Sequence, residues 1–176
     1  MIYVSIDLET TGLDPETCQV LEIGAVAQEL GGKEIERFHA VIDHKELYGS
    51  PFALSMNQRL IQMIADGGAK SPYIVWRDFY SWLDDYTSEP TDRVIVAGKN
   101  FAGFDRPFIE RSDPATASLF FHRVLDPAMF YMKSDDDFPP SLSDCLERAG
   151  LPNIVTHSAL ADAVQVRDLI EHHFSK

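Results

Sequence analysis

The chain has 176 residues, of which 45% are hydrophobic and 24% are charged, and its 15 Lys and Arg against 28 Asp and Glu give a formal net charge of −13. This size and composition indicate one globular domain, residues 1–176, and exclude a disordered chain and a pair of ordinary domains. The acidic balance disfavours sequence-independent binding of long duplex DNA through many phosphates, so a nucleic-acid site would have to be local and could draw on divalent cations.

Three strands are predicted at the start of the chain, at residues 2–9, 20–30 and 34–42. In the first strand the period of two puts Asp7 and Glu9 on the same face. Gly31-Gly32 is a two-residue turn of the kind that closes hairpins. The simplest arrangement is therefore an antiparallel three-strand meander.

Two helices are predicted next. The first ends at Gly67-Gly68 and has one apolar flank, formed by Leu54, Leu60, Ile61 and Ile64. The second begins with Ser71 as N-cap and Pro72 in the first turn. Its apolar stripe consists of Val75, Phe79, Trp82, Leu83 and Tyr86. A Trp at helical spacing is more often packed than used for base stacking, so we assign Trp76 and Trp82 to the core.

Strands and helices alternate in the second half of the chain. The predicted elements are a strand at 93–97, a glycine-bounded loop at 98–103, a helix from about residue 105, a strand at 120–125, and helices at 141–149 and 158–174. In the last helix we expect four side chains to turn inward: Leu160, Val164, Leu169 and Ile170. The acidic triplet 135–137 before Pro139-Pro140 indicates a solvated, mobile loop, with the border of a substrate groove as the alternative.

The order of these elements predicts an α/β fold. Three consecutive strands followed by alternating α and β indicate one mixed five-stranded sheet, antiparallel at one edge and parallel beyond it, with helices on both faces. Ligands of open α/β sheets bind beyond the carboxyl ends of the strands. Asp7 and Glu9 end the first strand, and the loop before Asp105 leaves the fourth, so we expect a site there.

Cysteine usage and hydropathy bear on location. Cys18 and Cys145 are far apart and belong to no Cys-x-x-Cys or Cys/His cluster, so we expect buried, reduced thiols rather than a disulfide or a zinc site. No stretch approaches the ~20 apolar residues of a membrane span, and the first residues are strand-like rather than typical of a secretory signal. We therefore expect a cytoplasmic protein without a membrane partner.

The two acids of the first strand are the first chemical signal. Two strand residues separate Asp7 from Glu9 by ~6.5 Å at the backbone, where carboxylates repel and raise each other's pKa unless a cation lies between them. Hard oxygen ligands without thiols suit Mg²⁺ or Mn²⁺. The alternative is a solvated strand end.

Two further segments carry candidate residues. Asp105, with Pro107 in the first turn, is either a helix N-cap or a member of the same site. Ser158 as N-cap leaves His157 just outside the last helix and Asp162 in its early turns. The alternatives are an acid favoured by the helix dipole and a surface histidine. Surface positions are also expected for the other five histidines: His39, His44, His122, His172 and His173.

Taken together, these segments resemble a known family. Asp7 with Glu9, Asp105, and His157 with Asp162 resemble the three motifs of the DEDD exonucleases, in the branch with a histidine five residues before the last Asp. The resemblance runs from Tyr3 to about Val166 and includes "DLETTGLD", "VLEIGAV" and "HSALADA". Members have a ribonuclease H-like fold and remove nucleotides one at a time from a 3′ end. The pattern "NFAGFDRPFI" is similar to the oligoribonuclease and RNase T side of the family.

The resemblance also implies residue roles. Two Mg²⁺ or Mn²⁺ ions would be held by Asp7, Glu9, Asp105 and Asp162, and His157 would be the general base. The turn after the first strand would contact the terminal sugar and base through Thr10, Thr11, Gly12 and Leu13. Further substrate candidates, with core packing as the alternative for the two Phe, are Asn100, Phe101 and Phe104. Lys99 and Arg106 would either meet phosphate or be solvated.

The implied substrate is the 3′ end of single-stranded DNA or RNA, including short oligonucleotides, with release of nucleoside monophosphates. Two other functions stay open. One is a proofreading subunit bound to a polymerase, and the other is a non-catalytic domain of the same fold that binds nucleic acid or a polymerase. The choice of sugar, the substrate length and a homodimer are open as well.

Overall fold

A computed structural model describes residues 1–87, 92–153 and 157–175. At its centre lies a five-stranded sheet with the strand order β3-β2-β1-β4-β5. The strands are β1 (Ile2–Thr10), β2 (Val20–Glu29), β3 (Glu34–Val41), β4 (Val94–Ala97) and β5 (Phe120–Leu125). β1, β2 and β3 pair antiparallel, whereas β4 pairs parallel with both β1 and β5. The predicted mixed sheet is therefore confirmed.

The helices pack on both faces of this sheet. They are α1 (Pro51–Met56), α2 (Gln58–Ala65), α3 (Pro72–Asp84), α4 (Asp105–Ser112), α5 (Pro114–Ser118), α6 (Ala128–Tyr131), α7 (Leu142–Ala149) and α8 (Ala159–Phe174). On one face, Val4 and Ile6 of β1 share a core with Phe79 of α3. On the other face, Tyr3 packs with Val166 of α8.

The alternation of β1 decides which helix meets the acids. The Tyr3 hydroxyl donates to the Glu171 carboxylate at 2.9 Å, and the Ser5 hydroxyl donates to the Ala163 carbonyl at 2.7 Å. Asp7 continues the same face by the period of two. Since the partners move towards the start of α8 as β1 proceeds, the N-terminal end of α8 lies against the acidic end of β1.

The first helical segment differs from the prediction. It is divided into α1 and α2 at Asn57, which is buried. The Asn57 amide donates to the Thr10 carbonyl at 3.1 Å and to the Ala53 carbonyl at 3.2 Å. The side chain thus ties the end of β1 to the end of α1, a long-range contact that periodicity does not reveal.

Two short helices were not predicted. α5 is capped by the Asp113 carboxylate, which accepts from the Thr116 N–H. α6 follows Pro127 and has only four residues. Both are too short to show helical periodicity in the sequence. The β2–β3 turn also differs by one residue, because the Glu29 N–H donates to the Lys33 carbonyl and leaves three residues in the loop, with Gly31 at φ +68°.

The structure corrects part of the prediction for the inward face of α8. Leu169 and Ile170 are buried as predicted, whereas Leu160 and Val164 are only half-buried and line a surface groove. The positions that face the sheet at the start of α8 are Ala159 and Ala163. The physical reason is close approach: a Cβ on Gly24 of β2 would overlap the backbone of Ala159 and Leu160, so only small side chains fit between helix and sheet.

The acidic triplet 135–137 also differs in part from the prediction of a solvated, mobile loop. Asp136 is anchored, since it pairs with Arg148 at 2.6 and 2.8 Å and accepts from the Lys133 N–H at 2.7 Å. Its neighbours in the triplet are exposed, as predicted.

Cys145 is buried and Cys18 is half-buried, and both are free thiols. None of the helices in the described ranges combines the length and hydropathy that a membrane crossing requires.

Candidate active site

Three of the predicted acids meet at one point. Carboxylate oxygens of Asp7, Glu9 and Asp162 all lie within 4.8 Å of one another. The first two come from the α8-facing side of β1, and the third lies in the first turn of α8. The antiparallel run of α8 along β1 thus joins residues that are more than 150 positions apart in sequence.

Asp105 lies beside these three acids. It is the first residue of α4, follows the N-cap residue Phe104, and is buried. Its Oδ1 accepts from the Leu8 N–H at 3.0 Å, so it binds the residue between Asp7 and Glu9. The interpretation of Asp105 as a helix N-cap is therefore wrong, because its carboxylate is directed to β1.

Burial and mutual repulsion make this acidic cluster unfavourable without a cation. Burial, and then the charges of Asp105, Asp162 and Glu9, raise the pKa of Asp7 well above its ordinary value. Burial, with the charge of Asp162, raises the pKa of Glu9 to about 7. Burial likewise raises the pKa of Asp105 to about 7 and that of Asp162 above its ordinary value. Divalent cations would relieve this repulsion, and hard carboxylate oxygens are the ligands that Mg²⁺ and Mn²⁺ prefer.

His157 lies at the edge of the cluster. It is exposed, directly precedes the N-cap Ser158 of α8, and has φ +47°, a left-handed conformation that is uncommon for a residue other than glycine. Its charge opposes the rise in the pKa of Asp162. The start of α8 therefore presents one acid and one imidazole to the same region. Residues 154–156, which precede His157, lie outside the described residues.

Glu22 is a fifth carboxylate near the cluster and was missed in the sequence. It lies on β2 directly opposite Glu9 of β1, and its side chain is fully buried. Its carboxylate accepts from His39 Nε2 at 2.6 Å, from Arg59 at 3.2 Å and from the Ala159 N–H at 3.0 Å. A lone Glu in the apolar run "VLEIGAV" is a usable signal, because a buried charge requires partners. His39 is exposed, as predicted, but its ring also bonds to the buried Glu22 carboxylate.

The turn after β1 is built by its two threonines. The Thr10 hydroxyl donates to the Gly12 carbonyl at 2.7 Å. Thr11 is fully buried, its N–H donates to the Gln19 carbonyl at 2.9 Å, and its hydroxyl accepts from the Gln19 N–H at 2.8 Å. The prediction that Thr11 contacts substrate is therefore not supported, because its backbone N–H and its hydroxyl are used within the turn. Gly12 packs so close to Cys18 that a Cβ would lie 2.5 Å from the sulfur.

An apolar groove of about 300 Å³ opens beside Glu9. Its lining includes Leu13, Phe52, Met56 and Phe104. Leu13 is 85% exposed and Phe52 is 73% exposed, so the groove presents large apolar side chains to solvent. Leu13 and Phe104 were predicted as substrate contacts, whereas the α1 residues Phe52 and Met56 were missed because their helical spacing resembles that of ordinary core residues.

The remaining substrate candidates lie elsewhere. Phe101 is fully buried and packs edge-on against Phe120 with ring centroids 5.4 Å apart, so the stacking prediction for Phe101 is wrong and core packing is correct. Asn100 is an exposed turn residue with φ +57°, and its N–H donates to the Asp126 carboxylate at 2.9 Å. This bond holds the loop that precedes Asp105.

The two residues considered for phosphate contact, Lys99 and Arg106, are both half-buried. Arg106 donates to the Glu110 carboxylate at 2.8 Å on the surface of α4. Neither observation favours phosphate binding over an ordinary surface role.

Arg59 is a positively charged residue beside the acids. Arg59 of α2 pairs with Glu22, and its charge opposes the rise in the pKa of Glu9.

Known proteins share this fold. Exonuclease I of E. coli in complex with a dT13 oligonucleotide has a TM-score of 0.73 at 16% identity, over 97% of this chain and 40% of that one. The nuclease domain of 3′hExo, described as a DEDDh family member bound to rAMP, has a TM-score of 0.75 at 13% identity, over 99% of this chain and 92% of that one. At these identities the likeness shows the fold alone.

Sequence comparison identifies the family. The DNA polymerase III PolC-type protein of Thermotoga maritima is 28% identical over 170 residues, and the match covers 92% of this chain and 11% of that protein. The chain thus spans about a tenth of the length of this relative. The family profile RNase_T, described as exonuclease, matches residues 4–168. Since this match covers nearly the whole chain, the protein belongs to the exonuclease family.

Proposed function

We propose that this chain is a metal-dependent 3′-to-5′ exonuclease of the DEDDh type, which hydrolyses phosphodiester bonds and releases nucleoside monophosphates. The observation that carries the proposal is the meeting of Asp7, Glu9 and Asp162 within 4.8 Å, with Asp105 bound to the backbone between the first two. His157 lies beside them at the start of α8. A domain that only binds a partner has no need for a buried cluster of acids with raised pKa values.

The donor set suits two Mg²⁺ or Mn²⁺ ions. Asp7, Glu9 and Asp162 would hold them directly, and Asp105, whose Oδ1 is bound to the Leu8 N–H, would act through its second oxygen or through water. When bound, such ions lower the pKa of a coordinated water and stabilise a leaving oxygen. The protein contributes the rigid backbone frame of β1 and α8 on which these carboxylates are fixed.

His157 is the proposed general base. Histidine is the side chain that most often serves as general base near neutral pH. Its exposed position next to Asp162 would let it take the proton of the attacking water and release it to solvent.

The apolar groove is the proposed seat of the terminal nucleotide. Leu13 on the turn and Phe52 on α1 offer exposed apolar surfaces to a base, while Glu9 at the rim marks the end where hydrolysis would take place. Contacts to a base face and to a sugar carry little sequence information, so we propose a substrate with a free single-stranded 3′ end and no strong sequence preference. The oligonucleotide and rAMP in the two related structures support this class of ligand.

A second candidate function is proofreading in association with a polymerase. It is favoured by the 28% identity to a PolC-type DNA polymerase III. Purification of the protein with its bound partners tests this candidate: a polymerase that elutes with it in stoichiometric amounts supports the association, and its absence favours independent action.

The proposal is tested by digestion of matched DNA and RNA oligonucleotides of several lengths, labelled at the 5′ end, with and without Mn²⁺. We expect a ladder of labelled products that shortens from the 3′ end only when metal is present, and no ladder with Asp7→Asn. Release of labelled mononucleotide at the outset would indicate the opposite polarity. Labelled oligonucleotides that keep their full length in Mn²⁺ would instead favour the non-catalytic binding domain.

A further inference from the structure

Glu22 has no role in the proposed metal set, although its side chain is fully buried beside that set. Burial of an ionised carboxylate is unfavourable unless partners compensate for the lost water. Three partners from three different elements do so here: His39 on β3, Arg59 on α2 and the Ala159 N–H of α8. Burial acts to raise the pKa of Glu22, but hydrogen bonds from these partners outweigh it and hold that pKa below its ordinary value.

The bond to Ala159 connects Glu22 to the active site. Ala159 is the first residue of α8, and the first N–H groups of a helix have no partner within the helix. The Glu22 carboxylate accepts this N–H at 3.0 Å. No side-chain hydrogen bond from the N-cap Ser158 is present at this helix start. The side chain that caps the start of α8 is therefore Glu22 of β2.

Steric contact reinforces this bond. Gly24, two residues beyond Glu22 on the same face of β2, lies against the backbone of Ala159 and Leu160, and a Cβ there would overlap both. β2 thus fixes the start of α8 by a hydrogen bond and by close backbone packing. Asp162 and His157 flank this fixed point on either side.

We propose that Glu22 is a positioning residue, which holds the start of α8 against β2 and thereby places Asp162 and His157 relative to Asp7 and Glu9. The inference rests on the proposed function, because those four residues are assigned to it. Glu22 acts through Ala159 and not through contact with metal or substrate. Residues that orient ligands in this way typically contribute about 10- to 100-fold to metal affinity or activity.

Two substitutions separate the effect of the position of the Glu22 side-chain oxygen from the effect of its charge. Glu22→Gln keeps an oxygen at the same distance from Ala159 but is neutral. Glu22→Asp keeps the charge but withdraws the oxygen by one methylene. Positioning predicts that Glu22→Asp loses more kcat and more Mn²⁺ affinity than Glu22→Gln, with KM for a single-stranded oligonucleotide nearly unchanged in both.

Glu22→Ala removes both the side-chain oxygen that binds Ala159 and the charge. We expect kcat and Mn²⁺ affinity to fall by about 10- to 100-fold. Asp113→Ala is the matched control, since Asp113 is also a carboxylate that accepts an N–H at a helix start, in α5. We expect Asp113→Ala to lower Tm, because it removes that cap, while kcat and Mn²⁺ affinity stay at the wild-type values. If Glu22→Ala does not fold, the Asp and Gln variants decide the question.

Mn²⁺ affinity is measured by calorimetry in the absence of substrate. The value of kcat is measured at saturating Mn²⁺ and at a temperature well below the Tm of each variant. Equal values for wild type, Glu22→Asp and Glu22→Gln would overturn the positioning role, and so would a larger loss in Glu22→Gln than in Glu22→Asp. A wild-type protein that binds Mn²⁺ but releases no nucleotide would overturn the proposed function instead. The Mn²⁺ affinities of the variants would still test the positioning of Asp162 in that case.

Discussion

Glu9 and Glu22 face each other across the β1–β2 pair, yet their pKa values are displaced in opposite directions. Burial and neighbouring carboxylates raise the pKa of Glu9 to about 7. Burial acts on Glu22 in the same sense, but hydrogen bonds from His39, from the start of α8 and from Arg59 outweigh it. The protein's own hydrogen bonds thus compensate for the burial of the Glu22 carboxylate, whereas the Glu9 carboxylate would need a cation for the same effect.

Asp7→Asn should abolish metal-dependent hydrolysis while it stabilises the metal-free protein. The substitution removes a charge that burial and four neighbouring acids disfavour. A gain of about 1 kcal/mol would raise Tm by about 2 to 4 °C at this chain length. Thermal unfolding in chelator and in Mn²⁺ checks this. A lower Tm in chelator, or an undiminished rise in Tm on addition of Mn²⁺, would contradict the assignment of Asp7.

The stability of the metal-free protein should fall as pH rises from about 4 to above 7. The folded-state pKa values of Glu9 and Asp105 are about 7, well above the values of ~4 expected for the unfolded chain. Between these limits the folded state binds more protons than the unfolded state, so the free energy of unfolding decreases with pH.

Tm in EDTA between pH 5 and pH 8 tests this dependence, with Glu9→Gln as the variant expected to show a flatter profile. Mn²⁺ should raise Tm more at pH 8 than at pH 5, because protons and metal compete for the same oxygens. A wild-type Tm in EDTA that increases steadily over this range would show that the acids are not destabilising.

His157→Ala should lower kcat by about a hundredfold or more, as expected for removal of a general base. Mn²⁺ affinity should change little, because the imidazole is not among the proposed ligands. His122→Ala, which alters an exposed histidine on β5, is the control and should have wild-type kcat. Single-turnover rates at saturating Mn²⁺ give the comparison, and wild-type turnover by His157→Ala would reject the base assignment.

Leu13→Ala and Phe52→Ala should raise KM for single-stranded oligonucleotides without loss of Tm, because both side chains are largely exposed. Loss of stacking on one base is worth about 1 to 3 kcal/mol, which corresponds to roughly a 5- to 150-fold increase in KM. Phe138→Ala removes an equally exposed ring that does not line the groove, and should leave KM unchanged. Wild-type KM values in both groove variants would place the terminal base elsewhere.

Gly24→Ala should destabilise the fold by about 1 to 3 kcal/mol or more, since the added methyl group meets backbone that cannot rotate away. Gly68→Ala is a suitable control, because the nearest atom to a Cβ there is the Met63 carbonyl oxygen at 3.2 Å, whereas a Cβ at Gly24 would overlap the Leu160 backbone nitrogen. Chemical denaturation gives both values. Equal free energies of unfolding for the two variants would mean that α8 does not depend on close contact with β2.

The sequence predicted those features that depend on local periodicity and capping. The period of two in β1 placed Asp7 and Glu9 on one face, and Ser141 and Gly150 marked both ends of α7, where the structure has a capping box and a left-handed C-cap. Ser158 likewise marked the start of α8. These signals lie within a few residues of the element that they define.

Features that depend on long-range contact were not predictable in this way. Leu160 was expected inward because it is more hydrophobic than Ala159, but the close approach of β2 selects the smaller side chain. The partners of Glu22 come from β3, α2 and α8, and no local pattern relates them. Phe101 and Phe104 have the same local composition, and only the packed structure separates the buried ring from the one at the groove.

The bond between Asp105 and the Leu8 N–H has a consequence for the integrity of the sheet. β4 pairs with β1 only through Val96 and Ala97, so β1 continues beyond its parallel neighbour. An uncovered strand edge invites pairing with another chain, and proteins commonly block it. Asp105 occupies such a hydrogen-bonding position of β1 beyond the last paired residue. The same carboxylate that lies beside the acidic cluster therefore also accepts, within the protein, a buried strand N–H that β4 leaves unpaired.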